Sequence, residues 1–307
     1  MEVSPQVYFC GSTRRPSLTE INGETRLYGI LGHPVSHSLS PRLHNAAFAN
    51  RRINAAYLPF EIEKADAALK RAFQKLRIRG LSVTIPHKGW AARVADELDP
   101  LSECSGAANT LLFQDDGVVL GRNTDGPGAL RALKESLGVL RGRRFLLLGY
   151  GGSATAIAHA LALEEKPALF LLSGRNKRKL DRFARDLSDQ HATRSLKIRT
   201  TDFEDLEPDD VDVIIQTTPL GMQGQSDELP LPETFVQSFH TVFDIVYIPA
   251  RTPLLKLAAA RKARTVPGYL MLLYQAVLQF ELFTGQAAPA HLMEQELLAA
   301  LRSRVPG

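Results

Sequence analysis

Arg144-Phe-Leu-Leu-Leu-Gly149-Tyr150-Gly151-Gly152-Ser153-Ala154 reads as a buried strand, a glycine turn and a helix start. That turn brings backbone N–H groups at a helix N-terminus to where a pyrophosphate sits in a dinucleotide fold. Ala156, Ile157, Ala160 and Leu161 give the following segment an apolar face at helical spacing. The next apolar run ends Leu172-Ser173-Gly174-Arg175, followed by Lys177, Arg178 and Lys179, with no acid before Asp181. At this point of a dinucleotide fold an acidic residue takes the 2′-hydroxyl of NAD, whereas arginine accommodates the 2′-phosphate of NADP. Basic side chains are poorly placed at a helix N-terminus unless an anion meets them there. Gly149, Tyr150, Gly151, Gly152 and Ser153 are therefore expected at the pyrophosphate, and the cofactor is expected to be NADP.

Working outward, the same alternation recurs on both sides. Upstream, apolar strands are predicted at 26–32, 56–60 and 81–85, with helices at 41–50 and 65–76. Downstream, strands are predicted at 168–172, 197–200, 212–216 and 241–245, then helices at 269–283 and 290–302. Strands alternating with helices indicate a mainly parallel sheet. The fold class is α/β, two such units in series with a helical C-terminus. Residues 1–24, rich in Ser, Thr, Pro and Arg, carry little periodicity and form a loose extension.

Composition narrows the class. The chain has 307 residues, and its 37 basic and 33 acidic residues leave a net charge of +4 without any long charged block. That balance suits a small anionic ligand as well as nucleic acid, so charge alone decides little. Cys10 and Cys104 are the only cysteines, with no CxxC or Cys/His ligand spacing, so neither a disulfide framework nor a metal site is expected. No run approaches the roughly 20 apolar residues of a membrane helix, and no signal core follows the start. A cytoplasmic protein is expected.

Three polar segments lie at strand ends, where open α/β sheets bind ligands. The first, residues 32–45, packs His37, Ser38 and Ser40 ahead of Pro41. Ser40 reads as an N-cap with Pro41 at N1, although hydroxyls at a helix start also bind carboxylates. His33, His37 and His44 have no matching carboxylates and read as hydrogen-bonded structural residues. The second segment, Val83-Thr84-Ile85-Pro86-His87-Lys88, places a lysine beyond a strand. The third joins Gly106-Ala-Ala-Asn109-Thr110 to Asn123-Thr124-Asp125-Gly126. Lys88 reads either as a surface lysine or, with Asp125, as a proton-transfer pair; Asn123–Gly126 taken alone reads as a turn. Met222 and Met271 read as core, Trp90 as a packing residue and Cys104 as buried and inert.

Together these segments resemble the shikimate dehydrogenase family over residues 23–301, nearly the whole chain. The motifs run in family order: GxPVxHSxSPxxHN at 32–45, VTIPHK at 83–88, GAxNT at 106–110 and NTDG at 123–126. They continue with GxGGS at 149–153, TxxGM at 218–222, DxxYxPxxT at 244–252 and GxxMLxxQ at 268–275. The resemblance implies reversible NADPH-dependent reduction of 3-dehydroshikimate to shikimate, a step of chorismate and aromatic amino acid biosynthesis. It implies that Ser38 and Ser40, helped by Tyr247, hold the carboxylate. Thr84, Lys88, Asn109, Asp125 and Gln275 would hold the ring hydroxyls, with Lys88 and Asp125 as the catalytic pair. Lys88 would act either as general base or mainly to position the substrate. Arg175 and Lys179 would grip the adenosine phosphate, and Gly268 and Met271 would border the nicotinamide.

The implied domains are a substrate-binding catalytic domain (25–125 and 263–307) and a Rossmann NADP-binding domain (126–262), the C-terminal helices returning to the first. A monomer or homodimer binding shikimate or 3-dehydroshikimate, with no nucleic acid and no membrane, is the implied partner set. Departures from the family pattern are Ser82 for a frequent Asn, Gln216 for Asn, Pro267 for a small polar residue, Tyr269 and Leu270 in the same motif, and Arg175 directly after Gly174. They keep quinate or an amino-substituted shikimate as alternative substrates. A non-catalytic ligand sensor would have lost Lys88 or Asp125 or gained a DNA-binding motif; both residues are present.

Overall fold

The computed structural model describes residues 21–189, 196–202 and 205–303. Of the expected N-terminal extension, residues 1–20 lie outside the described residues. The first unit runs β1 (Arg26–Gly32), α1 (Ser40–Asn50), β2 (Ala55–Glu61), α2 (Ala67–Lys75), β3 (Ile78–Val83) and α3 (Lys88–Val94). It continues with β4 (Glu97–Leu98), α4 (Pro100–Ser105), β5 (Thr110–Phe113), β6 (Val119–Arg122) and α5 (Asp125–Leu137). The sheet order is β2-β1-β3-β5-β6-β4. Strands β1, β2 and β3 are parallel, whereas β5 lies antiparallel to both β3 and β6. The short connection from β5 to β6 returns the chain in the opposite direction, as a hairpin does, whereas β3 reaches β5 through α3, β4 and α4.

The second unit runs β7 (Arg144–Leu148), α6 (Gly152–Glu164), β8 (Leu169–Ser173), α7 (Lys177–Asp189), β9 (Ile198–Thr200) and β10 (Val213–Gln216). Then come β11 (Thr241–Asp244), α8 (Pro253–Ala260) and β12 (Arg264–Pro267). All its pairings are parallel, in the order β12-β11-β10-β7-β8-β9. Read from β9, this is the 3-2-1-4-5-6 order of dinucleotide-binding folds, whose strand order reverses between β7 and β10. Parallel strands covered on both faces read as continuous apolar runs; accordingly Phe145, Leu146, Leu147 and Leu148 are all buried.

Two further helices, α9 (Tyr269–Thr284) and α10 (Ala290–Arg302), follow the second sheet but pack on the first. Helix α9 lies on α5, α1, β3 and β5, and α10 lies on α1 and α9. The Tyr28 hydroxyl on β1 donates to Phe283 O at 3.0 Å, and Tyr28 packs between Phe48 and Phe283. One continuous apolar core includes Leu43, Leu130, Leu147, Ile157, Val277 and Phe280, so it runs through both units.

Candidate functional site

Beyond β3 the chain turns through Thr84–His87, and Lys88 opens α3. Thr84 N–H donates to Leu31 O at 2.8 Å and His87 N–H to Thr84 O at 2.9 Å, which fixes that turn beside the end of β1. The Lys88 ammonium donates to Asp125 Oδ2 at 2.5 Å, the two side chains being 17% and 9% exposed. Asp125 is not in a free turn. It is the first residue of α5, where the helix N-terminus favours a carboxylate. Asn109 Nδ2 donates to Asp125 Oδ1 and to Thr124 Oγ1, both at 2.9 Å. Its Oδ1 accepts from Thr124 N at 2.8 Å and from Thr110 Oγ1 at 2.9 Å. Every hydrogen-bonding direction of the Asn109 amide is thereby used. The result is a nearly buried ammonium held rigidly against a carboxylate, able to give or take one proton at Nζ.

The serine loop lies at the end of β1. Gly32 has no room for a side chain: a Cβ there would stand 2.3 Å from Thr84 Cγ2 and 2.7 Å from Val35 Cγ1. Its absence lets the Ser38 loop and the Thr84 turn share one site. The expected N-cap role of Ser40 is corrected. Ser40 is the first helical residue, Leu39 is the N-cap, and no side chain caps α1. Ser40 N–H instead donates to Ser38 Oγ at 3.2 Å, and Ser40 is buried facing Tyr57. Burial raises the Tyr57 phenol well above its usual range, the Ser82 and Ser40 hydroxyls opposing, so the phenol stays neutral.

The second correction concerns His44. Among the described residues neither ring nitrogen makes a hydrogen bond of good geometry, the Gln279 amide lying beside the ring, and the ring stacks on Tyr57 at 4.4 Å. Burial drives its pKa down to about 3, the nearby Gln279 amide opposing. His33 faces Glu61 at 3.5 Å. Among the described residues no group of three or more His, Cys, Asp or Glu is arranged to hold a metal. Met222 is exposed rather than core, Met271 is buried and Cys104 is only partly buried. Burial raises the Cys104 thiol, Glu103 adding to it, so it stays protonated. Trp90 packs, its indole N–H donating to Asp66 O at 3.0 Å.

Gln275, on α9, is buried with Nε2 donating to Leu272 O at 3.0 Å. Its backbone lies directly against Gly128, one turn along α5 from Asp125. Tyr247 belongs to the loop after β11. Asp244 pins that loop, accepting from Val246 N at 3.0 Å and from Thr252 Oγ1 at 2.7 Å. Burial pushes the Asp244 carboxyl up to about 6, both donors opposing. Gly268 packs its backbone against Ile245 and Val246, so the start of α9 touches the Tyr247 loop.

At the switch point of the second sheet, Gly149 has φ +111°, a conformation that L side chains rarely adopt. It donates to Ser173 O at 2.9 Å and turns the chain toward α6. Gly151 is the α6 N-cap, and Gly151 and Gly152 are exposed with no atom within 4 Å of where a Cβ would stand. Ser153 follows in the first turn. The Tyr150 ring lies on Gly174, so the glycine turn and the end of β8 are in contact. Arg175 and Lys179 are exposed beside it, and the first turn of α7 contains no acid. An open helix start flanked by unneutralised cations fits a dinucleotide carrying a further phosphate.

The profile of the shikimate dehydrogenase substrate binding domain matches residues 30–111, and that of the shikimate 5′-dehydrogenase C-terminal domain matches residues 268–298. An NADP(+) shikimate dehydrogenase of Leptospira interrogans is 42% identical over 268 residues, covering 87% of this chain and 92% of that protein. The chain belongs to the shikimate dehydrogenase family. A shikimate dehydrogenase solved with NADP+ superposes with a TM-score of 0.85 at 32% identity, covering 93% of this chain and 99% of the other. Quinate dehydrogenase from Corynebacterium glutamicum, solved with NAD, superposes at 0.82 with 26% identity, covering 90% and 99%. Within this family frame, sequence reasoning missed the residues that hold the constellation from behind: Tyr57, Ser82, Thr110, Thr124 and Gln279. Thr110 and Thr124 stand inside the quoted motifs and Ser82 among the departures, whereas Tyr57 and Gln279 carry no such mark in the sequence.

Proposed function

We propose that the chain catalyses the reversible NADPH-dependent reduction of 3-dehydroshikimate to shikimate. The observation that carries this reading is the Lys88–Asp125 pair at 2.5 Å, nearly buried and braced by Asn109 at the strand ends of the first sheet. NADPH, when bound, supplies the hydride. As the ketone is reduced, the Lys88 ammonium gives its proton to the oxygen, and in the oxidative direction the amine takes the hydroxyl proton. Asp125 and Asn109 hold Nζ in place for both. Ser38, Ser40 and Tyr247 take the ring carboxylate, and Thr84 and Gln275 the remaining hydroxyls. Gly149–Ser153 take the pyrophosphate, Arg175 and Lys179 the 2′-phosphate, and Gly268 and Met271 the nicotinamide side.

Residues 25–125 with 268–307 serve as the catalytic domain and 126–267 as the cofactor domain, the break falling after the expected 263 because β12 pairs with β11. Strand β12 stays with the second sheet, so α9 makes the return. The enzyme works as a cytoplasmic monomer or homodimer that binds no nucleic acid; fractionation and sedimentation measure those two points. Among the described residues, no helix is long and apolar enough to cross a membrane.

Initial rates with shikimate and quinate, each crossed with NADP and NAD, test the reading. Shikimate with NADP is expected to have the highest kcat/KM. Arg175→Asp is expected to raise KM for NADP about tenfold or more while changing NAD less, since hydrogen bonds to a charged group are worth about 1.5–3 kcal/mol. A preference for quinate with NAD would overturn it.

A further inference from the structure

The Asn109–Asp125–Lys88 constellation is one end of a longer buried series of hydrogen bonds. Ser82 on β3 and Thr110 on β5 are register partners across an antiparallel pair, so their hydroxyls emerge on the same side of the sheet. Gln279 of α9 comes down between them and is 1% exposed. Its Oε1 accepts from Ser82 Oγ at 2.6 Å. Its Nε2 donates to Thr110 Oγ1 at 3.0 Å and to Asn109 O at 3.1 Å. Behind Ser82, the Tyr57 hydroxyl donates to Ser82 Oγ at 2.6 Å.

The donor directions are forced. The Asn109 carbonyl can only accept, so it turns Gln279 Nε2 toward β5 and Oε1 toward Ser82; the Ser82 proton then goes to Oε1, and Ser82 Oγ accepts from Tyr57. Thr110 Oγ1, accepting from Nε2, has its own proton left for Asn109 Oδ1. Asn109 Oδ1 is then an acceptor and Nδ2 must face Asp125. Gln279 therefore adds, through Thr110, to the Thr124 N–H and the Asp125 carboxylate that orient the Asn109 amide, and it clamps the Asn109 backbone as well. A purely structural reading of Gln279 is weak. An apolar side chain would fill the same place in an apolar helix without the cost of burying an amide.

We propose that Gln279, held by Ser82, is a positioning residue for the Asn109–Asp125–Lys88 constellation, an inference that rests on Lys88 and Asp125 being the catalytic pair. Ser82 is the residue through which the Tyr57 hydroxyl reaches Gln279. Its hydroxyl and the Gln279 amide form one unit, in which neither group alone links Tyr57 to Thr110.

The test is Gln279→Met, which keeps length and shape but removes the acceptor and both donors, measured beside Ser82→Ala, Ser82→Thr and Lys88→Ala. Misplacing a reacting group by an ångström costs up to about 100-fold in rate. Since Thr124 N still holds Asn109, a fall in kcat of about tenfold is expected for Gln279→Met. KM for NADP should be unchanged and the pH profile of kcat displaced. Ser82→Ala should shift both in the same sense by less, and Ser82→Thr, which keeps the hydroxyl, should restore them. Wild-type kcat and pH profile in folded Gln279→Met, whatever its melting temperature, overturn the proposal. If that variant does not fold, Ser82→Ala decides: an unchanged rate and profile overturn it. An inactive Lys88→Ala beside a normal Gln279→Met rejects this inference alone, whereas an active Lys88→Ala rejects the catalytic pair on which it rests.

Discussion

Ser40 stands one residue inside α1, and that single position decides what its hydroxyl does. An N-cap serine would be occupied by backbone N–H groups of the first turn, but α1 begins without any side-chain cap. The Ser38 hydroxyl accepts only the Ser40 N–H at 3.2 Å, which leaves its proton free for an anion. On the proposed reading, the Ser38→Ala, Ser40→Ala double variant should raise KM for shikimate about 10- to 100-fold, because hydrogen bonds to charged groups are worth about 1.5–3 kcal/mol and each 1.4 kcal/mol is tenfold. Its melting temperature should stay within a few degrees of wild type, since no cap is lost. An unchanged KM would return both serines to a structural role, and a large fall in melting temperature would restore the capping reading.

Helix α5 shows how element packing overrides local propensity. Asn123-Thr-Asp-Gly126 taken alone reads as a turn, yet α5 starts at Asp125 and carries Gly126, Pro127 and Gly128 in its first turn. In the fold those glycines are contact points. A Cβ at Gly126 would stand 2.7 Å from Ala160 Cβ of α6, and one at Gly128 would stand 2.8 Å from Gln275 N of α9. Gly128→Ala therefore sets two effects against each other. Helix propensity favours alanine by about 1 kcal/mol, while overpacking costs about 1–3 kcal/mol. Lower thermal stability and a raised KM for shikimate are expected; a stabilised variant with normal KM would mean that α5 and α9 separate freely.

The other elements were legible in proportion to how local their determinants are. Helix α10 and strand β1 match their predicted bounds, being set by a simple apolar period. Strand β3 begins three residues earlier and ends two earlier than its apolar run, since Pro86 makes Ile85 extended without making it part of the sheet. The antiparallel β5 and β6 were not predicted, and short strands give little periodic signal. Lys88, Asn109 and Asp125 were legible through their motifs. Gln279 was not, because its partners Ser82 and Thr110 are 197 and 169 residues away in the chain.

At the scale of the whole molecule, buried titratable groups set the response to pH. Burial lowers His44 to about 3 and His159 to about 4. A histidine with a depressed folded pKa contributes stability that is fully present above about 6.5 and is lost as pH falls toward the folded value. Asp244 has the opposite sign. Its carboxyl is raised to about 6, so its contribution is lost as pH rises from about 3.8 through 6. Burial also lowers His240 and raises Glu164, so with three histidines against two carboxyls the melting temperature should fall as pH drops from 6.5 to 4. His44→Phe should flatten that limb and Asp244→Asn should steepen it. An acid limb indifferent to both changes would place the titrating groups elsewhere.

The two units meet where α4 and α5 lie on α6, and the central claim is that the start of α5 holds one ammonium against one carboxylate for proton transfer. Turnover of shikimate by folded Lys88→Ala, with NADP affinity measured on the same preparation, tests it most directly. General acid–base groups contribute about 10²–10⁴-fold, so kcat should fall by that range while NADP binding is unchanged. Near wild-type turnover would contradict the account.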